Sequence, residues 1–157
     1  MTDYQPQMAY IAKTDSADGL RQLMANARRE GANSVEEAAF RKLIALGIEH
    51  PQGSIEHDFW RTVNAFEATL KDERGKTVRL SRTRQKVARA GVVQTLADWA
   101  LGKPTDGFSM LLERDMPELL GESIVLRHEE QFSPEVVAAA RSRLIDAGVD
   151  LDRVTKS

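Results

Sequence analysis

The sequence predicts an all-α protein, an irregular bundle of seven or eight short helices around one core. Apolar residues recur at steps of three and four along most of the chain, which is the spacing of one helix face. Glycine, proline and capping residues separate these stretches, and no two-residue hairpin turn joins a pair of alternating segments. Helices this short are marginal on their own, so they must share a core.

The length of the chain favours one domain. A chain of 157 residues is accommodated by a single hydrophobic core. The N-terminal segment shows no helical periodicity, which predicts a flexible leader over residues 1–15. The periodic pattern begins after it, so we expect a single helical domain over residues 16–157.

Capping residues indicate where the first two helices begin. The first helix is expected to follow Asp15 or Ser16, whose side-chain oxygens accept bonds from the free N–H groups of a first helical turn. Gly31 marks its end. Ser34 and Glu37 have the spacing of a capping box, in which each side chain bonds the backbone N–H of the other residue. This pattern predicts that the second helix begins at Ser34.

The third helix has the clearest apolar stripe in the chain. Ser54 is its expected N-cap, because it follows a loop that contains proline and glycine. The stripe consists of Ile55, Phe59, Val63, Phe66 and Leu70. Steps of three and four place these side chains on one face of a helix, so we expect this face to pack against the core.

Shorter periodic stretches predict the remaining helices. Proline is favoured at the first helical position, where its missing N–H is not needed, so Pro117 and Pro134 mark two helix starts. The segment 77–80 is either extended or a loop. The predicted helices cover about residues 81–90, 92 or 95 to 102, 108–114, 117–126 and 134–148.

The composition is that of an ordinary globular protein, with 41% hydrophobic and 29% charged residues. The chain has no cysteine, which excludes disulfides, thiolate metal sites and cysteine nucleophiles and is compatible with a reducing compartment. No apolar run approaches the roughly 20 residues needed to cross a bilayer, and the N-terminus lacks a signal-peptide pattern. We therefore expect a cytoplasmic protein with no membrane partner.

Charge is unevenly distributed along the chain. Residues 74–97 contain seven of the Lys and Arg residues and no Asp or Glu. Since the whole chain has 22 basic and 24 acidic residues, the other 133 residues carry 15 basic and 24 acidic residues, a net charge of −9. Neighbouring cations repel one another, so this segment predicts either a polyanionic partner or an acidic surface that meets it.

The cations of this segment define a candidate binding surface. On a helical wheel most of them fall within an arc of about 80°, and apolar residues occupy the adjoining side. Arginine forms paired bonds to phosphate oxygens, so phosphates are the expected external partner. The candidate nucleic-acid-binding residues are Arg79, Arg82, Arg84, Lys86 and Arg89.

This surface leads to two hypotheses for the function. The first is a small non-enzymatic nucleic-acid-binding or DNA-associated accessory protein that contacts phosphates through the basic helix. The alternative is a helical protein-interaction or regulatory module, including a homodimer, in which the basic stripe docks on an acidic protein surface. A third interpretation assigns no partner, because the cations pair with carboxylates of the chain itself.

An enzyme has no support from sequence motifs. No glycine-rich phosphate loop or nucleophile elbow is present, so we expect no catalytic residue and no cofactor. His57 and His128 stand next to carboxylates, but adjacent residues of a helix point about 100° apart, which disfavours a local metal site. We expect these histidines at solvated helix ends. An enzymatic site would require both to converge with carboxylates, within about 3 Å, in a deep pocket.

Overall fold

The computed structural model describes residues 3–156. Within this range the protein is helical and has no β-strand, which confirms the predicted all-α class. The described residues form ten α-helices and two short 3-10 helices, more elements than the predicted seven or eight. The α-helices are α1 (Gln5–Lys13), α2 (Ala17–Glu30), α3 (Asn33–Ala45), α4 (Ile55–Arg74), α5 (Ser81–Ala90), α6 (Val92–Leu101), α7 (Asp106–Glu113), α8 (Gly121–Arg127), α9 (Pro134–Asp146) and α10 (Leu151–Thr155). The 3-10 helices are Pro117–Leu119 and Glu129–Gln131.

The chain divides into two compact units between Ile48 and Glu49, where the sequence predicted one domain from residue 16 onwards. The first unit contains α1 to α3, and the second contains α4 to α10. The first unit has a core of its own, to which all three of its helices contribute. The division into units depends on which helices contact one another. The periodicity within each helix does not reveal these contacts.

Helix α1 forms where the sequence predicted a flexible leader. Its apolar pattern is weak, but Ile11 is buried in the core of the first unit. Tyr4 and Met8 pack against the same core, and a proline lies in the first turn of the helix. Burial of one side of the segment therefore stabilises a helix whose intrinsic signal is low. The first two residues of the predicted leader, and Ser157, lie outside the described residues.

Two predicted helix starts in the first unit have different outcomes. The Ser16 side chain accepts a bond from the Gly19 N–H at 3.0 Å, which confirms Ser16 as an N-cap. The predicted capping box at Ser34 is wrong, because α3 begins one residue earlier and Ser34 lies inside the helix. Ala32 occupies the N-cap position and offers no side-chain acceptor.

Helix α4 belongs to the second unit and packs against α6, α7 and α8. Its predicted N-cap is confirmed, since the Ser54 hydroxyl accepts a bond from the His57 N–H. The predicted apolar stripe is buried at Ile55, Phe59 and Val63. Phe59 lies in a small aromatic cluster, 5.4 Å from the Trp99 ring in a stacked arrangement. This packing holds the first half of α4, and with it the polar residues beside Phe59, in a defined position.

Helix α8 is almost completely enclosed by the second unit. The sequence predicted one helix from Pro117 onwards, but the chain forms a 3-10 turn there and becomes extended at Leu120 before α8 begins. Every residue from Gly121 to Leu126 is buried. A side chain at Gly121 would lie 2.8 Å from the Trp99 ring, so glycine permits this close packing. The buried helix ends at Arg127 and places the following residues beside α4.

Over residues 3–156, no helix is both long enough and apolar enough to cross a membrane.

Candidate functional site

The predicted basic surface lies on α5 and on the loop before it. None of the α5 residues is fully buried, and the helix packs against α6. Leu80 and Val87 are half-buried, whereas Arg79, Arg82 and Arg89 are exposed. The helix therefore presents an apolar side to the second unit and a polar side to solvent, as the sequence predicted.

Arg84 faces the protein rather than solvent. Its Nη2 lies 2.6 Å from Glu67 Oε1 and its Nε lies 3.0 Å from Glu67 Oε2, which is a two-point ion pair with α4. Its guanidinium also lies over the Trp60 ring, 5.3 Å from the ring centroid. These contacts leave Arg84 as a structural link between α5 and α4 and remove it from the exposed basic surface.

Lys86 also has a partner within the chain. Its ammonium lies 2.5 Å from Asp98 Oδ2, and Asp98 accepts a second bond from Gln94 at 2.8 Å. The bonds from Lys86 and Gln94 lower the pKa of Asp98. Lys86 thus connects α5 to α6. Two of the five residues predicted to bind phosphates are therefore paired with the chain's own carboxylates.

The exposed arginines remain as the basic surface. Arg79, Arg82 and Arg89 form no ion pair with another described residue. Arg82 and Arg89 are seven residues apart, which places them on the same side of α5. Arg79 precedes the helix, and its charge helps to lower the pKa of Glu67. We call these three residues the arginine surface.

The position of Arg84 on the helical wheel of α5 distinguishes it from the other predicted phosphate-binding residues. Arg84 lies four residues after Leu80 and therefore only about 40° from it on the wheel, on the apolar side of α5. A cation in that position is expected to find a carboxylate at the interface, because an unpaired buried charge is costly. The identity of the partner depends on how α4 and α5 pack, since Glu67 lies 17 residues earlier.

The ion pair of Glu67 leads to a prediction about stability. Burial raises the pKa of Glu67, but the bonds from Arg84 and from the Leu80 N–H outweigh this effect and the net pKa is lowered. A carboxyl group with a lowered folded-state pKa stabilises the fold above its unfolded pKa, and this contribution disappears as the pH falls through the folded value. We expect Glu67→Gln to lower the free energy of unfolding by about 1 to 3 kcal/mol at pH 7.

Urea unfolding followed by tryptophan fluorescence measures this effect. The difference between wild type and Glu67→Gln should shrink as the pH falls through the lowered pKa of Glu67, because the wild-type carboxyl then becomes protonated and neutral. Glu129→Gln is the matched control, since Glu129 pairs with Arg141 at a solvent-exposed position. Equal losses in the two variants at pH 7 would contradict the structural role of Glu67.

A second candidate site is a cavity in the second unit. Its volume is about 520 Å³. The start of α4, the end of α8, the 3-10 turn at Pro117–Leu119 and the end of α10 form its walls. The lining residues are Gln52, Gly53, His57, Asp58, Arg61, Glu118, Arg127, His128, Thr155 and Lys156.

Asp58 connects the ionisable groups of this cavity. Its side chain is only 9% exposed, and Oδ2 lies 3.0 Å from His128 Nε2. The same oxygen lies 3.4 Å from Arg127 Nε, and Oδ1 lies 3.4 Å from Arg61 Nη2. Arg127 is 8% exposed and also donates to the Val154 carbonyl at 2.8 Å. One carboxylate therefore faces two guanidinium groups and one imidazole.

Several polar atoms of the cavity lack a partner. His57 Nδ1, Arg61 Nε and Arg127 Nη2 are buried and have no hydrogen bond to another described residue. Burial lowers the pKa of Arg127, and the nearby Asp58 only partly opposes this shift. Burial and the charge of Arg61 also lower the pKa of His57, so its imidazole is mostly neutral at pH 7. Buried donors without acceptors are costly, which makes this cavity a candidate for a bound ligand.

The cavity changes the interpretation of the histidines. His128 was expected at a solvated helix end, but its side chain is 12% exposed and contacts Asp58. Only one of the two histidines meets the convergence that an enzymatic site requires: His128 lies 3.0 Å from Asp58, whereas His57 lines the same cavity and its Nδ1 has no hydrogen bond to a described residue. Within the described range no three His, Asp or Glu side chains are arranged to hold a metal ion. No local signal pointed to the contact, because the two partners are 70 residues apart.

The second unit therefore carries two chemically different candidate sites. The arginine surface is exposed and belongs to a single helix and the loop before it. The cavity is built from residues of several elements and contains charges of both signs. No protein-family model, curated protein or solved structure matches this chain.

Proposed function

We propose that the protein is a small nucleic-acid-binding accessory protein that contacts phosphates through the arginine surface. The observation that carries this proposal is the exposure of Arg79, Arg82 and Arg89 in a stretch that contains no acidic residue. Unpaired surface cations repel one another and attract polyanions. Neutralising phosphates releases their counterions, which favours binding most strongly at low salt.

The spacing of the arginines suits a phosphate backbone. Arg82 and Arg89 are seven residues apart, which is about 10 Å along the axis of α5 at about 1.5 Å per residue. Successive phosphates of one strand are about 3.4 Å apart along a duplex axis, so these arginines span about three of them. Ser81 and Gln85 are also exposed on α5 and add neutral hydrogen-bonding groups of the kind that contact phosphates or bases.

The two paired cations support this function indirectly. Arg84 and Lys86 attach α5 to α4 and α6 through Glu67 and Asp98. A helix held in this way presents its exposed arginines in one orientation. Less conformational freedom is then lost when phosphates bind.

Salt dependence of oligonucleotide binding tests the proposal. Three phosphate contacts predict a slope of log affinity against log salt of about −2.7 for duplex DNA and about −2.1 for single strands. Affinity for a duplex should therefore fall about 40-fold between about 50 and 200 mM salt. Fluorescence anisotropy with labelled oligonucleotides measures both quantities.

A charge-matched pair of variants locates the binding surface. Arg82→Gln with Arg89→Gln removes two cations of the arginine surface and should reduce the duplex slope to about −1. Arg21→Gln with Arg141→Gln removes two exposed cations elsewhere and should leave the slope unchanged. The proposal is wrong if no oligonucleotide binds at about 50 mM salt, or if both double variants lose affinity equally. A salt-dependent oligomer without affinity for oligonucleotides would instead support the alternative, docking on an acidic protein surface.

A further inference from the structure

The cavity beside Asp58 has features that binding of nucleic acid on α5 does not use. We propose that it binds a small molecule that carries an oxyanion, a phosphate or a carboxylate, which is held by Arg61 and Arg127. This site is separate from the arginine surface, and its existence does not depend on nucleic-acid binding.

The charges that line the cavity favour an anionic ligand. The cations are Arg61, Arg127 and Lys156, and the carboxylates are Asp58 and Glu118. Apart from the histidines, three cations face two carboxylates, which leaves one positive charge in excess. Within the cavity, Asp58 contacts both guanidinium groups, so two cations share this carboxylate. A bound oxyanion would add a second negative group for these two cations.

The unpartnered atoms specify what the ligand must offer. Arg61 Nε and Arg127 Nη2 are buried without a hydrogen bond to any described residue. Guanidinium N–H groups only donate, so the ligand must present acceptor oxygens. Arg127 is more than nine-tenths buried, at 8% exposure, and the Asp58 and Val154 contacts use its other nitrogens. Its third nitrogen therefore has no acceptor among the described residues.

The size of the cavity fits a small molecule. Its volume of about 520 Å³ lies within the range of sites for small ligands, about 300 to 1,000 Å³. His57 also lines the cavity and its Nδ1 is a third unpartnered polar atom; a neutral imidazole nitrogen either donates or accepts. The ligand therefore combines an oxyanion with space for further atoms near His57.

The three histidines of the chain provide a direct readout of binding. His57 and His128 line the cavity, whereas His50 is exposed and does not line it. We expect inorganic phosphate or succinate, titrated into the full chain, to shift the ring-proton NMR signals of His57 and His128 in a saturable manner. The His50 signal should move much less. Sodium chloride at matched ionic strength is the reference, and the two anions distinguish a phosphate site from a carboxylate site.

Two variants test whether the anion that shifts the histidine signals binds in the cavity. Arg61→Gln removes one charged donor and should raise the dissociation constant about tenfold or more. Arg141→Gln removes an exposed cation of the same unit outside the cavity and should leave the constant unchanged.

The wild-type titration alone is able to overturn the proposal. If neither anion shifts the His57 and His128 signals beyond the chloride reference, the cavity holds only water and the proposal is wrong. Equal weakening by Arg61→Gln and Arg141→Gln would show non-specific attraction and would also overturn it. Oligonucleotide binding is measured separately on Arg61→Gln, where unchanged affinity shows that the cavity and the arginine surface act independently.

Discussion

Asp58→Ala is expected to lower the free energy of unfolding by about 3 to 5 kcal/mol, because it leaves a buried guanidinium without its carboxylate. Arg127 is 8% exposed and has Asp58 as its ion-pair partner at 3.4 Å. The same substitution removes the partner of His128 Nε2. Breaking a buried pair by removing one member is costly, since the remaining charge is neither hydrated nor neutralised.

Tryptophan fluorescence during urea unfolding measures this loss in the relevant part of the protein. Both tryptophans, Trp60 and Trp99, lie in the second unit, so their signal reports its unfolding. Glu129→Ala removes the carboxylate of an ion pair whose side chains are about half exposed, and it should cost less than about 1 kcal/mol. A loss below about 1 kcal/mol for Asp58→Ala would show that water or a bound ion already compensates Arg127.

Phe59→Ala is expected to cost about 3 to 5 kcal/mol for a different reason. The ring is fully buried, and its centroid lies 5.3 Å from the Trp60 ring and 5.4 Å from the Trp99 ring. Removing it loses the transfer free energy of the aromatic side chain and leaves a cavity between α4 and α6. The emission of both tryptophans should also change in the folded state, because each loses an adjacent ring.

Leu101→Ala is the control for this substitution. Leu101 lies on α6, but it is 50% exposed, so its truncation should cost less than about 1 kcal/mol. The stabilities of the two variants are compared by their urea midpoints, provided that the free energy of unfolding has the same slope against urea concentration in both. Equal midpoints for Phe59→Ala and Leu101→Ala would contradict the placement of Phe59 in the core.

Local patterns in the sequence predicted much of the second unit. The apolar stripe of α4 has its first members in the core, Ser54 caps its helix as expected, and α9 begins at Pro134 as expected. These features depend on interactions within one turn of a helix, which periodicity and capping rules describe. The break at Leu120 was missed, because the residues around it are apolar enough to continue a helix.

The candidate sites were predicted unequally. The acid-free stretch identified Arg79, Arg82 and Arg89, which are exposed, but it also included Arg84 and Lys86. Their partners, Glu67 and Asp98, lie outside that stretch on α4 and α6. The sequence of a segment gives the number of its cations. Whether each cation forms an ion pair depends on the carboxylates that packing brings near it.

The sequence by itself determined the helical class, the starts of helices such as α2, α4 and α9, and the presence of one strongly basic helix. Only the tertiary structure decided which cations face solvent, how the chain divides into two units and where the cavity lies. The contact between Asp58 and His128 joins residues 70 positions apart. Contacts over such separations arise from the packing of whole helices. The sequence pattern of one helix does not identify which other helix packs against it.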